Sequence, residues 1–394
     1  MDNTPIPYRK IIHLDLDAFY CAVEELLDRS LKGKAFAVGG SPTGRGVVTS
    51  CSYPARAFGV HSAMPMAHAV RICKHLIVVR GNFKEYAAKS RLVMHILREV
   101  TPLVQQLSID EAFLDVTAED KLASVLAKEL QARILQETGL PNSLGVATNK
   151  LIAKIASDVG KKVSGGNDYP HAIQIVPPGR EAEFIAPLPT KALWGVGPKT
   201  AERLASIGIR TIGEIASWPE EDLRRRFGQH GGELVRRAQG IDNSPVSTSR
   251  DTKSISQETT FPRDVRDETE LMHALRKQAE KVAKRLSHKH LVGRTIRIKL
   301  RWPDFTTLTR QTTLAAPTDD AHIIYQSAVQ LMESNRKPTQ AVRLVGVGIS
   351  KLEKRGKQLT LWDTAEYRKE SQLELAVKEI QKKFGQDAIK QGRI

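Results

Sequence analysis

Ile11-Ile12-His13-Leu14-Asp15-Leu16-Asp17 alternates apolar and polar residues. Side chains of a strand point to opposite faces with a period of two. The stretch therefore predicts a half-buried strand, with Ile12, Leu14 and Leu16 facing a core and Asp15 and Asp17 sharing the other face. Helical spacing follows at once, over 18–27. A second acidic pair, Asp110-Glu111, lies in an otherwise apolar run over 107–116. That run reads as two strand halves around a tight turn at Ser108-Ile109-Asp110-Glu111. Acids at the rim of a buried sheet repel one another and lose hydration, and a cation cancels both penalties. Hard oxygen ligands suit magnesium, which keeps waters and substrate phosphates in its shell. Two such ions about 3.5–4 Å apart can activate a hydroxyl and stabilise a leaving oxygen in phosphoryl transfer. Either pair alone also fits a solvated strand end. Their place inside apolar strands of a basic chain favours the metal reading.

The chain has 394 residues, 60 of them Lys or Arg against 44 Asp or Glu, a formal net charge of +16. This length implies two to four domains, and 41% hydrophobic residues exclude a disordered chain. A basic protein of this size is expected to bind a polyanion, most simply nucleic acid. No run approaches the roughly 18 apolar residues of a membrane span, and the first ten residues lack the apolar stretch of a secretory leader. The three cysteines, Cys21, Cys51 and Cys73, have no C-x-x-C spacing, which argues against a disulfide framework or a cysteine zinc site and for a reducing cytosol.

Further along, short strands are expected over 35–40 and 46–50, helices over 54–58, 67–73, 86–100 and 121–138, a strand over 143–147 and a helix over 150–159. Composition shifts at Val176-Pro177-Pro178-Gly179 and again at Pro187-Leu188-Pro189. Beyond Thr252 the pattern reads strand 254–261, helix 269–287, strand 295–302, strand 307–314, helix 319–332 and strand 342–352. This βαββαβ order suggests a sheet with helices on one face. A charged helix is expected over 364–394.

The motifs then become specific. Residues 12–20 (Ile-His-Leu-Asp-Leu-Asp-Ala-Phe-Tyr) resemble the first signature of the Y-family DNA polymerases. Residues 52–60 resemble that family's finger motif, and 107–115 (Leu-Ser-Ile-Asp-Glu-Ala-Phe-Leu-Asp) its second catalytic motif. A third follows in Gly145-Val146-Ala147, Lys150, Lys154 through Asp158, and Lys161. The four occur in the family's order, and the similarity spans about 8–363. The resemblance implies an α+β, multidomain right-hand polymerase. Its parts are a palm (1–25 and 81–180), fingers (26–80), a helix-hairpin-helix thumb (181–246), a βαββαβ little finger (247–354), and a clamp-binding motif with a helical tail (355–394). It implies translesion DNA synthesis of low fidelity on primer-template DNA from deoxynucleoside triphosphates, with two Mg2+ ions and no proofreading.

By the same resemblance, Asp15, Asp110, Glu111 and the backbone carbonyl of Leu16 are metal ligands, with Glu111 the catalytic glutamate. Asp17 drops out of the ligand set. Tyr20 matches the residue that stacks under the sugar and excludes a 2′-hydroxyl. Tyr53, Arg56 and Lys161 match the groups that hold the triphosphate, and a guanidinium fork and an ammonium both suit phosphate oxygens. Cys51-Ser52 and Lys162 depart from the usual pattern without removing a charged group.

Three stretches point to DNA handling. Residues 193–204 followed by Ile207-Gly208-Ile209 read as a helix-hairpin-helix in which Gly195, Gly197 and Lys199 bring backbone N–H groups and a cation to a phosphate, a contact that carries no sequence information. The G-x-x-x-x-G-K-[ST] spacing of a P-loop is absent. Residues 227–240 look like a second such unit. In the last region Arg297, Lys299 and Arg301 share one strand face, opposite Ile296, Ile298 and Leu300, with Lys253, Arg294 and Arg310 nearby. Three like charges on one face would repel one another without a polyanion. Finally, Gln358-Leu359-Thr360-Leu361-Trp362-Asp363 resembles a sliding-clamp-binding peptide, with Gln358, Leu359, Leu361 and Trp362 as contacts. A monomer in the cytoplasm is expected. The rival reading is a non-catalytic DNA-binding relative, against which the intact Asp15, Asp110 and Glu111 speak.

Overall fold

The computed structural model describes residues 8–164, 166, 168–249 and 251–355. The expected clamp-binding residues Gln358, Leu359, Leu361 and Trp362 and the tail over 364–394 lie outside the described residues. The chain divides between Asp251 and Thr252 into two units.

The first unit is built on β1 (Ile11–Leu16), which turns through Asp17 and a left-handed Ala18 (φ 42°) into α1 (Phe19–Leu27). Next come β2 (Phe36–Gly39), β3 (Val48–Cys51), α2 (Tyr53–Ala57), α3 (Met66–Ile72) and β4 (Ile77–Val79). They form a small sheet of order β3-β2-β4 with its own core around Val48, Met66 and Ala69. The larger sheet is completed by α4 (Phe83–Val100), β5 (Val104–Gln106), β6 (Glu111–Asp115), α5 (Ala123–Thr138), β7 (Asn142–Ala147), α6 (Lys150–Val163) and β8 (Ile173–Ile175). Its order is β5-β6-β1-β7-β8, with β1 in the centre.

That central place overturns the half-buried expectation for β1. Ile12, Leu14 and Leu16 pack with α1, α4 and α5. The opposite face, with Ile11 beside Phe113 and Ala147, packs against Leu151, Ile152 and Ile155 of α6. His13 on that face is therefore fully buried. Gly145 makes the close approach of α6 possible: a Cβ there would stand 1.9 Å from the Ala153 carbonyl oxygen. The helix expected over 150–159 runs on to Val163, which carries Lys161 within reach of the sheet.

A second correction concerns 107–116. The strand before the turn is β5, upstream at Val104–Gln106, and the turn is closed by the Leu107 N–H donating to the Glu111 carbonyl (3.0 Å). Glu111 is thus the first residue of β6 rather than part of the turn. Strands β4 and β8, three residues each, are too short for a period of two to reveal.

The first unit ends in short helices: α7 (Glu181–Ile185), a 3-10 turn at Thr190–Ala192, α8 (Pro198–Ala205), α9 (Ile212–Ser217), α10 (Glu220–Phe227) and α11 (Gln229–Ala238). The element before the first hairpin is that 3-10 turn. Gly195 (φ 99°) and Gly208 (φ 89°) take the left-handed conformations the turns require, and Gly228 (φ 68°) joins α10 to α11.

The second unit has the expected βαββαβ order: β9 (Ser254–Val265), α12 (Glu268–His288), β10 (Leu291–Arg301), β11 (Thr307–Thr318), α13 (Ala321–Glu333) and β12 (Val342–Lys354). The antiparallel sheet runs β11-β10-β12-β9. Ile296, Ile298 and Leu300 face the two helices and are fully buried.

Candidate active site

Register brings the acids together. Asp15 on β1 lies opposite Glu111 on β6 and Ser143 on β7, so all three side chains share the face covered by α6. Asp110 sits one residue before β6, and its carbonyl accepts the Leu16 N–H at 3.0 Å. The turn is held by Ser108, whose hydroxyl donates to Asp110 Oδ1 (2.6 Å) and accepts from the Glu111 N–H (3.1 Å). Ser90 of α4 donates to the Ile109 carbonyl from below.

Lysines of α6 neutralise two of the acids. Lys154 Nζ is 2.5 Å from Glu111 Oε2, and Lys161 contacts Asp15 Oδ1. Lys161 is also 3.4 Å from Asp17 Oδ1. His13 Nε2 lies 3.4 Å from Glu111 Oε2. The His13 imidazole and the Lys154 ammonium hold the Glu111 carboxyl down, to about 2, against its burial. Burial keeps His13 itself neutral by lowering its pKa. Asp110 goes the other way: burial, then Asp15 and Glu111, push it up despite the Ser108 hydroxyl. Burial opposes the charge of Lys161, but Asp15 and Asp17 outweigh it and raise the ammonium's pKa.

Among the described residues no three Asp, Glu, His or Cys side chains converge as a metal-ligand group. The donor set still fits a hard divalent cation. Two carboxylates, Asp15 and Glu111, are paired across strands, a third, Asp110, is raised by burial and then by those two neighbours, and oxygen is the ligand such cations take.

Tyr20 follows the left-handed turn and lies partly exposed. Its ring stacks on Tyr86 (centroids 4.2 Å, 16°) and meets Phe83 edge-on at 5.9 Å. Tyr86 is fixed in turn by donating its hydroxyl to Glu24. Tyr53 begins α2, under the Arg56 guanidinium at 4.4 Å, and Arg56 Nε donates to the Cys51 carbonyl (3.3 Å). Burial and then Asp17 push the Tyr53 phenol up to about 12, so it remains a neutral hydroxyl. The departing residue Ser52 is the N-cap of this helix, accepting from the Ala55 N–H at 3.3 Å.

Gly195, Gly197 and Lys199 are exposed, with Gly197 and Pro198 opening α8. Arg237 of α11 donates to the Trp194 carbonyl (3.2 Å), bracing the hairpin. In the second unit Arg297, Lys299 and Arg301 do share the outer face. The expected mutual repulsion is relieved at one of them, because Lys299 pairs with Glu258 of β9 at 2.9 Å. Gly346 and Gly348 of β12 lie opposite Lys299 and Arg297. Lacking side chains, they leave a groove of about 350 Å³ beside those cations.

Sequence reasoning missed the supporting layer. Lys154 reads as a solvated helix face until its spacing of seven from Lys161 is set against a sheet on that side. His13 and Tyr86 carry no such signal.

Comparison with family models matches residues 14–158 to the impB/mucB/samB family, 178–209 to the IMS family HHH motif, and 252–361 to the impB/mucB/samB family C-terminal domain. The chain is 42% identical over 347 residues to the DNA polymerase IV of Listeria innocua, covering 87% of this chain and 95% of that protein. It is 39% identical over 392 residues to that of Dehalococcoides mccartyi, covering 98% and 97%. Among solved structures, a Y-family DNA polymerase chimera built from Dbh and Dpo4 aligns with a TM-score of 0.77 at 26% identity, over 88% of this chain and 99% of the chimera. A Dbh ternary complex aligns at 0.61 and 26%, over 86% and 98%.

Proposed function

The chain belongs to the impB/mucB/samB family, the Y-family DNA polymerases, and we propose that the carboxylates at the junction of β1 and β6 are its polymerising centre. The protein is a DNA-directed DNA polymerase of the translesion type, dependent on divalent metal. The observation that carries the site assignment is the register of Asp15 against Glu111 with Asp110 beside them.

In this reading Asp15, Asp110, Glu111 and the Leu16 carbonyl hold two Mg2+ ions. Such ions, when bound, ease deprotonation of a hydroxyl and neutralise charge on a leaving oxygen. The primer 3′-hydroxyl oxygen forms a bond to the α-phosphorus of the incoming nucleotide, and the bond to pyrophosphate breaks. The protein's part is positioning and charge. Lys161, Arg56 and the neutral Tyr53 hydroxyl hold the triphosphate, and Tyr20, braced by Tyr86, closes the space beside the 2′ carbon. Glu111, held ionised by His13 and Lys154, keeps its charge at working pH. The palm is 1–25 and 81–180, the fingers 26–80, the thumb 181–246 and the little finger 247–354. In this reading the active protein is a monomer in the cytoplasm.

Gly195, Gly197 and Lys199 grip the duplex backbone, as do Arg297, Lys299 and Arg301. Neutralising phosphates releases counterions, so binding should fall with salt at a log–log slope of roughly −0.9 per contact on duplex DNA. Changing Arg297, Lys299 and Arg301 together to alanine should flatten that slope and shorten the products. Because Lys299 already has Glu258 as a partner, Arg297 and Arg301 should account for most of the change. A slope unaltered in fluorescence-anisotropy titrations would leave that face as ordinary solvated surface.

Gln358, Leu359, Leu361 and Trp362 form the sliding-clamp tether. A tether raises the local concentration of primer terminus without any new contact at the active site, and short peptides concentrate their binding energy in a few anchors. Changing Leu361 and Trp362 to alanine should leave single-nucleotide incorporation intact and abolish stimulation by a cognate clamp. Deleting 364–394 alone should preserve it. The reverse pattern in processivity assays would put the tether in the tail.

A further inference from the structure

Asp17 has no part in the reaction as read above, yet its side chain is fully buried at the end of the central strand. We propose that Asp17 is the positioning residue for the triphosphate-holding groups, acting through Lys161 and through the segment that packs Tyr169 on Tyr53. The inference rests on the assignment of Lys161 to the triphosphate.

The first line of support is the asymmetry of the two acids around Lys161. Asp15 is 22% exposed and lies in the reacting cluster; Asp17 is 0% exposed. Asp17 is also tied down. The Ser143 hydroxyl lies 2.9 Å from Oδ1 and 3.0 Å from Oδ2, and the His171 N–H donates to Oδ2 at 3.3 Å. A substrate phosphate competing for the ammonium can therefore displace Asp15, the accessible partner, while Asp17 stays 3.4 Å away. A lysine stem has several free torsions, so a fixed anion behind its head group reduces the ordering that substrate binding would otherwise require.

The second line is the segment after α6. His171 is left-handed (φ 46°), a conformation uncommon for a residue with a side chain. Asp17 accepts its N–H, and the Ser143 hydroxyl accepts the next one, from Ala172, at 3.1 Å. Two residues upstream, Tyr169 meets the Tyr53 ring edge-on (5.5 Å, 73°). One buried carboxylate thus ties together the supports of two of the three triphosphate groups.

The test is single-nucleotide incorporation by the full chain on saturating primer-template, with kcat and KM for the deoxynucleotide measured separately. K161M alone tests the underlying assignment: if it leaves KM unchanged, Lys161 does not hold the triphosphate. Given a raised KM there, D17N, whose amide can still accept the His171 N–H, should raise KM by roughly tenfold, the scale of a lost charged contact. Its kcat should stay within about threefold, because the chemistry groups are untouched. In the K161M background the same change should raise KM by less than it does in the parent chain, since only the route through Tyr169 and Tyr53 remains. A KM effect of K161M without one of D17N overturns the proposal, as does a D17N defect confined to kcat or to the active fraction. Should D17N fail to fold, S143A keeps both charges and loosens Asp17; a smaller rise in KM supports the proposal and an unchanged KM overturns it.

Discussion

Asp110→Asn should lower primer extension by roughly a thousandfold or more while leaving affinity for primer-template DNA nearly unchanged. The carboxylate is pushed up by burial and then by the charges of Asp15 and Glu111. A group in that position gains from a cation and has no reason to face an anionic duplex. Charge stabilisation by a bound ion is worth several kcal/mol in the transition state, and each 1.36 kcal/mol is tenfold in rate. The substitution is nearly isosteric, and its remaining amide oxygen can still accept from the Ser108 hydroxyl, which stands 2.6 Å from Asp110 Oδ1. The turn should therefore hold, and thermal unfolding should shift little. Rapid-quench measurement of single-turnover incorporation, with DNA binding followed by anisotropy, separates the two quantities. Extension within tenfold of the parent chain would remove Asp110 from the metal site. Loss of DNA binding in parallel would mean that the turn had collapsed.

The residues of the proposed site stand out in the sequence but their support does not, for physical reasons that differ from place to place. Asp15 and Glu111 were visible because acids inside apolar strands are anomalous wherever the strands pair. Their direct opposition was not visible, since β1 and β6 are far apart in sequence and no local pattern fixes the register between them. The burial of His13 follows from α6 covering the second face of β1. Alternation suggested one open face, whereas the polar residues there are covered: His13 is buried under α6 and Asp15 is paired with Lys161. The βαββαβ unit was legible almost strand by strand, since its helices cover one face and leave the other to Arg297, Lys299 and Arg301, as period-two patterning requires. The ion pair of Lys299 with Glu258 joins β10 to β9 over the glycines of β12, a proximity that no local pattern encodes. Tyr86 reads simply as an apolar position of α4. Its stacking on Tyr20 depends on the angle at which α1 leaves β1.

That stacking bears on the second large effect. Tyr20→Ala should raise ribonucleotide incorporation relative to deoxynucleotide by roughly a hundredfold, the scale on which an apolar pocket rejects an added hydroxyl. Deoxynucleotide use should fall by less than about tenfold. The ring is held face-on by Tyr86 and edge-on by Phe83, and Tyr86 is anchored through Glu24, which also accepts the Asn82 N–H at 3.2 Å. A surface supported on two sides cannot retreat from an added hydroxyl, so the cost of admitting a 2′-oxygen falls on the substrate. Removing the Tyr20 ring opens that space directly without touching an acid or a phosphate-holding cation. The lost stacking is partly exposed, so the stability cost should be smaller than the roughly 3–5 kcal/mol of a fully buried aromatic. Tyr20→Phe preserves the ring and should discriminate as the parent does, which separates ring volume from the phenol hydroxyl. Competing single-nucleotide incorporation of ribo- and deoxynucleotides opposite the same template base measures the ratio. An unchanged ratio for Tyr20→Ala would place the barrier to the 2′-hydroxyl elsewhere in the first unit, and a changed ratio for Tyr20→Phe would move it from the ring to the phenol.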